Sequence, residues 1–286
     1  MSAPAVTEPG VYELDESVYH ADAVAGRSLS VSGCKRLLPP SCPAMFAYER
    51  DFGRAPKAAF DFGHAAHAVV LGTGAPLVVV DAKDWRTKAA QEARDAAYEA
   101  GSTPILPGEY AQVQGMAAAL REHPTAAALL EPKDGAPEQS LFWRDEPTGT
   151  MLRSRLDWLP HVNGSRMVIA DYKTCAASDL ASIIKAVHTF GYHMQAAFYR
   201  AGVQALGLDD DPAFVLIFQS KTAPYLVQCV EPDDFALEVG AALNRKAIDL
   251  YAHCTATDTW PGWGHGITRV SLPPWAATDL DMETTA

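Results

Sequence analysis

Two apolar segments that each carry an acidic residue constrain the fold of this chain most. The segment MLRSRLDWLP alternates apolar and polar residues, and MVIADYKT is an apolar run of the length of a strand. With the preceding SLFWRD and the turn residues PTGT, they predict three strands in antiparallel order. Asp157 belongs to the second of these strands and Asp171 to the third. The sheet can therefore bring two carboxylates together.

The third strand also carries a lysine on the same face as its acid. Residues two apart in a strand share a face, so Asp171 and Lys173 point one way and Tyr172 points into the opposite layer. An isolated Asp-x-Lys sequence is more often a strand end or a turn than a site. Here two close carboxylates beside one lysine would repel each other, and a divalent cation such as Mg²⁺ or Mn²⁺ is the usual remedy. Such an ion can polarise a phosphodiester, while Lys173 orients or deprotonates a water molecule or stabilises the developing negative charge.

The composition predicts a soluble globular protein. Of the 286 residues, 48% are hydrophobic, and no run approaches the roughly 18 apolar residues of a membrane-spanning helix. The start MSAPAVTEPGVYELDESVYH lacks the regions of a signal peptide, so we expect a cytoplasmic protein with no membrane partner. A formal net charge of −12 argues against wrapping nucleic acid around the whole surface but is compatible with a local basic groove. Five cysteines without a CxxC pair fit neither a disulfide framework nor a zinc ribbon.

The rest of the chain divides into an N-terminal arm, helices and two further strands. Residues 1–27 are polar and form the predicted arm, and Ser28 or Ser30 is a candidate cap for a short helix in SLSVSGCKRLL. A following helix carries His64 and His67, of which His64 is interpreted as a packing or hydrogen-bonding residue. GSTPILPGEY is predicted to be a loop. The other predicted elements are helices at 89–100, 112–130, 180–202 and 232–254 and strands at 213–218 and 225–230.

Several motifs in fixed order extend the Asp-x-Lys signal. They are Gly63-x-x-x-His67, Arg155-x-Asp157, Asp171-Tyr172-Lys173-Thr174 and the run from Tyr192 to Tyr199. This set resembles the PD-(D/E)xK signature of RecB-like nucleases. Further matches are Tyr19-His20-Ala21-Asp22, Ser140-x-x-Trp143 and Trp260-Pro261-Gly262. With them, the chain resembles the exodeoxyribonuclease VIII (RecE-like) family of phage and prophage recombination exonucleases from about residue 10 to 275.

The resemblance implies a fold and a set of site residues. The fold is α/β (α+β), with a restriction-endonuclease-like core in which helices flank a central mixed β-sheet. It occupies residues 28–275 as a single nuclease domain, and 276–286 form a tail. The implied metal ligands are His67, Asp157, Asp171 and the carbonyl of Tyr172, and the implied catalytic residues are Lys173, Asp157, Asp171, Gln195 and Tyr199. Gln195 and Tyr199, one helical turn apart, would contact the DNA strand or fix Lys173. Glu138, just before the first core strand, is a candidate for a further carboxylate, although a plain loop acid is the preferred interpretation.

Two groups of residues are candidates for holding phosphate. The first is a helix start that offers hydroxyl and backbone N–H donors beside two basic residues, Ser28, Ser30, Ser32, Lys35 and Arg36. It is a candidate 5′-phosphate pocket, although a serine cap beside two solvated basic residues is the plainer interpretation. The second is Arg153 and Arg155, which share a strand face with Asp157. They either grip the DNA backbone or form a structural ion pair with Asp157 or Asp145.

The resemblance also implies substrates and partners. It implies a Mg²⁺- or Mn²⁺-dependent exonuclease that degrades duplex DNA ends from 5′ to 3′ and leaves single strands for recombination. The implied partners are duplex DNA ends, a RecT-like single-strand annealing protein and further copies of the chain in a homo-oligomer such as a ring. Cys229 and Cys254 are too far apart for the iron-sulfur cluster of some RecB-like nucleases, so none is expected. The alternatives are a single-strand or structure-selective nuclease of the same superfamily and a catalytically silent DNA-binding recombination scaffold.

Overall fold

The computed structural model describes residues 6–53, 59–161, 164–264 and 266–273. The predicted tail, residues 276–286, lies outside these ranges. None of the helices in the described ranges combines the length and apolar character that crossing a membrane requires.

Nine strands are found in the described residues. They are β1 (Gly10–Glu13), β2 (Leu29–Ser30), β3 (Leu77–Val79), β4 (Thr103–Ile105), β5 (Gly135–Arg144), β6 (Met151–Pro160), β7 (Val168–Cys175), β8 (Ala213–Ser220) and β9 (Val227–Val230). Six of them form the main sheet in the order β1-β5-β6-β7-β8-β9, and β2 adds to it beside β6. Strands β5, β6 and β7 are antiparallel, as predicted, whereas β7 and β8 are parallel. The sheet is therefore mixed, and the predicted fold class is confirmed.

Ten helices pack around this sheet in the described residues. They are α1 (Glu16–His20), α2 (Val31–Leu37), α3 (Pro43–Phe52), α4 (Ala59–Leu71), α5 (Lys88–Glu99), α6 (Pro107–Glu122), α7 (Pro124–Leu129), α8 (Leu180–Thr189), α9 (Tyr192–Ala205) and α10 (Asp234–Thr257). Apolar side chains on one face of the sheet pack against α2, α8, α9 and α10. Those on the other face pack against α4, α6 and α7. The sheet is thus covered on both faces, which explains the continuous apolar run of β8.

Successive residues of β7 enter different cores, because side chains alternate across a strand. Ile169 belongs to the core under α9, while Ala170 and Tyr172 belong to the core under α4 and α6. Tyr172 is fully buried, and its hydroxyl donates to Gln219 Oε1 at 2.6 Å. Asp171 is in phase with Ile169 and faces α9. The predicted alternation of Asp171, Tyr172 and Lys173 is confirmed.

The segment predicted as an arm contributes a strand to the sheet. Residues 10–13 form β1, which pairs antiparallel with β5, with Gly10 opposite Phe142 and Glu13 opposite Gln139. Tyr19 of α1 is buried against Phe142, with ring centroids 6.3 Å apart. This part of residues 1–27 therefore packs on the edge of the sheet, and so reaches the neighbourhood of the arginines on β6.

The structure corrects three predicted elements. GSTPILPGEY is not only a loop, because Thr103–Ile105 forms β4 and pairs parallel with β3. The predicted helix at 112–130 is two helices, since Pro124 cannot continue α6 and instead begins α7. The predicted helix at 180–202 is also two, because Gly191, with a left-handed φ of 64°, separates α8 from α9.

Candidate metal-binding active site

Asp157 is fixed where β6 and β7 begin to separate. The ladder between these strands pairs Trp158 with Ala170. Two residues beyond Ala170, the backbone N–H of Tyr172 donates to Asp157 Oδ2, on the residue before Trp158, at 2.8 Å. The side chain of Asp157 thus takes a donor that a strand neighbour would otherwise satisfy. This contact holds the carboxylate beside the backbone of the Asp-Tyr-Lys segment.

Glu138 of β5 lies opposite Asp157 of β6, on the side of β6 away from β7. The β5–β6 register pairs Pro137 with Trp158 and Gln139 with Leu156, so the intervening residues face each other. Glu138 has a positive φ of 54°, which interrupts the ladder at this step. Its carboxylate forms an ion pair with Arg155. Glu138 is therefore part of the site, and its interpretation as a loop acid is wrong.

His67 is the third candidate ligand, beside Glu138 and Asp157 of the sheet. It projects from α4, and its Nδ1 atom lies 3.7 Å from Asp157 Oδ2. One ligand atom each from His67, Glu138 and Asp157 lies within 4.8 Å of the others, and we call these three residues the acidic cluster. Two carboxylates and an imidazole fit a divalent cation, with the oxygen atoms suited to Mg²⁺ and Mn²⁺.

Electrostatics within the acidic cluster favour a positive ligand. Burial raises the pKa of Glu138, and the negative charge of Asp157 raises it further, against the opposing effect of Arg155. A cation between the two carboxylates would remove their repulsion.

Asp171 lies beside the acidic cluster and is held by two side chains. Lys173 Nζ forms an ion pair with Asp171 Oδ2, and Gln195 Nε2 donates to Asp171 Oδ1 at 2.6 Å. Burial, and then repulsion from Asp157, raise the pKa of Asp171 to about 6. Burial alone would lower the pKa of Lys173, but the carboxylates of Asp171 and Asp157 raise it above its usual value. The lysine is therefore a cation, and Gln195 fixes Asp171 rather than Lys173.

Two cavities meet at the acidic cluster. The lysine cavity has a volume of about 520 Å³ and is lined by Lys35, Lys173, Tyr192 and Gln195, among others. The arginine cavity has a volume of about 280 Å³ and is lined by Glu138, Arg153 and Arg155, among others. Asp157, His67, Tyr199 and the exposed His64 line both cavities. A ligand in either cavity would contact the cluster.

The serines predicted to hold phosphate line a third cavity, which we call the serine pocket. It has a volume of about 600 Å³, and its lining includes Ser28, Ser30, Ser32, Arg36 and Arg153. Ser30 Oγ accepts a hydrogen bond from the N–H of Gly33 at 3.3 Å and so caps α2. Ser28 Oγ donates to Asp22 Oδ1 at 2.7 Å.

Lys35 and Arg36 do not share a pocket. Neighbouring residues of a helix point about 100° apart, so Lys35 enters the lysine cavity while Arg36 faces the serine pocket. Arg36 is paired there with Glu49. The predicted group of phosphate residues is therefore divided between two sites.

Arg153 and Arg155 form ion pairs, but with other partners than predicted. Arg153 pairs with Asp22 at 2.8 Å and donates to Ser28 Oγ at 2.6 Å. Arg155 pairs with Glu138 and donates to the carbonyl of Leu14 at 2.7 Å. Neither contacts Asp157 or Asp145 in this way. Both guanidinium groups lie within 6 Å of the ring centre of Tyr19, at 5.4 and 5.7 Å.

Comparisons with known proteins assign the chain to a family and support its fold. Residues 30–268 match the model of a family described as a PDDEXK-like domain of unknown function, DUF3799. The chain belongs to this PDDEXK-like family. The match to DUF3799 spans most of the chain and includes β6, β7 and the helices that carry His67 and Gln195. The predicted PD-(D/E)xK assignment is therefore confirmed, while membership of the RecE-like branch stays a prediction.

One solved structure supports the same fold. A crystal structure of a provisionally named exonuclease from Eubacterium rectale aligns with 94% of this chain and 98% of its own, at 13% identity and a TM-score of 0.59. The structure of SSO0001 aligns with 78% of this chain and 76% of its own, at 13% identity and a TM-score of 0.36. No curated protein matches the sequence. The fold, the family and the acidic cluster together identify a nuclease-type domain with a candidate metal site.

Proposed function

We propose that this protein is a divalent-metal-dependent DNA exonuclease that hydrolyses phosphodiester bonds at duplex ends in the 5′ to 3′ direction. The observation that carries the proposal is the acidic cluster, which adjoins Asp171, Lys173 and Gln195 on the lysine cavity. A structural ion pair needs one acid and one base. Here three carboxylates converge near one imidazole, which is suited to binding a cation that carries a phosphate substrate.

The proposed roles follow from the contacts of the side chains. His67, Glu138 and Asp157 would hold Mg²⁺ or Mn²⁺, and Asp171 and the Tyr172 carbonyl remain proposed additional ligands. When bound, the cation would supply Lewis acidity toward the phosphodiester and lower the pKa of a water molecule. Lys173 is cationic, which supports stabilisation of negative charge on the phosphate rather than removal of a proton from water. Gln195 orients Asp171, and Tyr199 lines the path of the strand.

The serine pocket supports recognition of a DNA end. Ser32 lines this pocket and both cavities at the acidic cluster, so the three spaces adjoin at this residue, and we propose that one strand extends from the cluster into the pocket. Ser28, Ser30, Arg36 and Arg153 would then lie around a terminal 5′-phosphate. Arg155, on the wall of the arginine cavity, would contact the backbone between them. Binding of the terminal phosphate at a fixed distance from the cluster favours an exonuclease over an endonuclease.

The biological setting is proposed on the sequence resemblance alone. The single strands produced would enter homologous recombination in the cytoplasm, with a RecT-like annealing protein as a partner. A homo-oligomeric ring would enclose the duplex and give processivity without a basic exterior, in keeping with a net charge of −12. A monomer mass in light scattering would contradict the ring.

The test is digestion of a linear duplex labelled at one 5′ end. We expect loss of the linear duplex with Mg²⁺ or Mn²⁺, none with EDTA, and none on a covalently closed circle. Lys173→Ala should lower kcat by about 100- to 1,000-fold, the size of one lost transition-state contact, and the exposed Lys185→Ala should be a matched control with normal activity. Cutting of the circle would instead show an endonuclease, preference for single strands would show the alternative specificity, and DNA binding without cleavage under any metal would show a scaffold.

A further inference from the structure

Lys35 has a fixed place on the wall of the lysine cavity. Its aliphatic stem lies against Gly191, where an added Cβ would come within 2.9 Å of Lys35 Cε. Its Nζ atom lies 5.7 Å from the ring centre of Tyr192, and Lys173 Nζ lies 5.4 Å from the same ring. The absence of a side chain at Gly191 therefore makes room for the stem, and one tyrosine ring holds two lysine amines at the same cavity.

The charge of Lys35 is poorly compensated. Within the described ranges, no carboxylate forms an ion pair with it, whereas Lys173 is paired with Asp171. Burial, and then repulsion from Lys173, lower the pKa of Lys35 to about 8, although Asp171 opposes this effect. A partly buried cation beside a second cation is stabilised when an anion enters between or beside them. The lysine cavity thus has an unmet requirement for negative charge.

We propose that Lys35 binds the DNA phosphate that occupies the lysine cavity, and so grips the strand at the reacting phosphodiester rather than at its 5′ end. This inference rests on the proposed function, because it assumes that the ligand is a DNA strand. A phosphodiester has two non-bridging oxygens, and ammonium groups donate charge-assisted hydrogen bonds to such atoms. Lys35 is then a substrate-binding residue of the active site, distinct from its neighbour Arg36 in the serine pocket.

The experiment compares Lys35→Met with Lys35→Arg and with the matched control Lys246→Met, an exposed lysine on α10. The dissociation constant is measured in EDTA on a duplex oligonucleotide with 5′-phosphate or 5′-hydroxyl ends, and KM and kcat are measured with Mg²⁺. For Lys35→Met we expect Kd and KM to rise about 10- to 100-fold, the size of one hydrogen bond to a charged group. The slope of log Kd against log salt should weaken by about 0.9, the contribution of one phosphate contact.

The preference for a 5′-phosphate separates this proposal from a role at the DNA end. In Lys35→Met the ratio of Kd values for 5′-hydroxyl and 5′-phosphate ends should equal that of the wild type, and Lys35→Arg should recover most of the affinity. An unchanged Kd and salt slope, or selective loss of the 5′-phosphate preference, would overturn the proposal. If the wild type binds DNA but does not cleave it, the proposed function fails, while the Kd comparison still decides the role of Lys35.

Gly191→Ala supplies a second approach to the same contact. Its methyl group would displace the stem of Lys35, so we expect weaker DNA binding. In a double-mutant cycle, Gly191→Ala should add little to the Kd of Lys35→Met, because both changes remove one contact. Additive effects would show that Gly191 acts through the backbone instead. The left-handed φ of Gly191 makes some loss of stability certain, and thermal unfolding of each variant shows that the compared proteins are folded.

Discussion

The lysine cavity and the serine pocket lie on two sides of helix α2. They differ in whether their basic side chains are paired with carboxylates. In the serine pocket, Arg36 is paired with Glu49 and Arg153 with Asp22. In the lysine cavity, Lys35 lacks a carboxylate partner within the described residues, and the adjoining acidic cluster brings Glu138 within 4.8 Å of other ligand atoms. Both regions contain basic side chains. Only the lysine cavity and the adjoining acidic cluster have charges that a bound ligand would compensate.

This difference teaches how to rank the two regions as functional sites. A paired arginine must give up or share its carboxylate before it can bind a phosphate, so part of the binding free energy is offset. Lys35 can bind an anion without losing a carboxylate partner. A cation at the acidic cluster removes the repulsion between Glu138 and Asp157, which offsets the sharing of Glu138 with Arg155. We therefore expect the largest effects of mutation at the acidic cluster and the smallest in the serine pocket.

Glu138→Gln gives the largest effect of the substitutions considered for this comparison. It removes a charged ligand from the acidic cluster, so we expect the affinity for Mn²⁺, measured by calorimetry, to fall by at least about 100-fold. Cleavage at low metal concentration should fall in proportion. Glu146→Gln, in the exposed turn of the same hairpin, is the matched control.

Loss of Glu138 also removes the ion-pair partner of Arg155, and the uncompensated positive charge would itself repel a cation. The double variant Glu138→Gln/Arg155→Met separates the two effects. Unchanged Mn²⁺ affinity in the single variant would contradict the assignment of Glu138 as a ligand.

The pH dependence of metal binding tests the same repulsion between neighbouring carboxylates. With a pKa of about 6, Asp171 is protonated below that pH in the metal-free protein, and Glu138 also has a raised pKa. A carboxyl group whose pKa is higher in the folded than in the unfolded protein stabilises the fold at low pH. This stabilisation is lost as pH rises from about 4 to about 6. Added Mn²⁺ should therefore raise Tm more at pH 7.5 than at pH 5. Below pH 6 its affinity should fall about tenfold per pH unit for each proton displaced.

A Tm increase from Mn²⁺ that is the same at both pH values would show that the ion binds elsewhere. Asp171→Asn is the internal control, since it removes one of the two titrating carboxyl groups and should make the profile shallower, with the remaining pH dependence coming from Glu138.

The sheet could be predicted from sequence because its signals are local. Alternation in residues 151–160 and the apolar run that contains Asp171 set the strands, and each side-chain direction follows from the period of two. The order of β7 and β8 and the pairing of β1 with β5 are not local, so no pattern within a segment predicts them.

Placing Glu138 in the site required the register of β5 against β6. Counting back from the PTGT turn would have provided that register. The hairpin pairs Arg144 with Met151, and the same register leads to Glu138 opposite Asp157. The separation of Lys35 from Arg36 also had a signal, since neighbours on a helix point in different directions. Their partners, Glu49 and the ring of Tyr192, depend on tertiary packing and could not be read from the segment itself.

Gln195→Leu should have an intermediate effect. Its amide donates to Asp171 Oδ1, so the change leaves a buried carboxylate with Lys173 as its remaining side-chain partner. We expect kcat to fall about tenfold with a smaller change in KM, because the amide of Gln195 donates to Asp171 and so positions that carboxylate. Gln204→Leu, on the same helix but bonded to the carbonyl of Asp210, is the control. A rise in KM at constant kcat would instead assign Gln195 to DNA binding.

The smallest effect is expected for Arg36→Ala in the serine pocket. Because Arg36 is already paired with Glu49, its loss should lower the preference for 5′-phosphate over 5′-hydroxyl ends by only about two- to fivefold, measured as the ratio of kcat/KM values. Glu49→Gln removes the charge of this ion pair and should raise the preference instead. If neither variant changes the ratio, and Ser32→Ala does not either, the ion pairs of the serine pocket are structural. The fixed distance between the cluster and a bound DNA end would then lose its physical basis, and an end-specific enzyme would need another explanation.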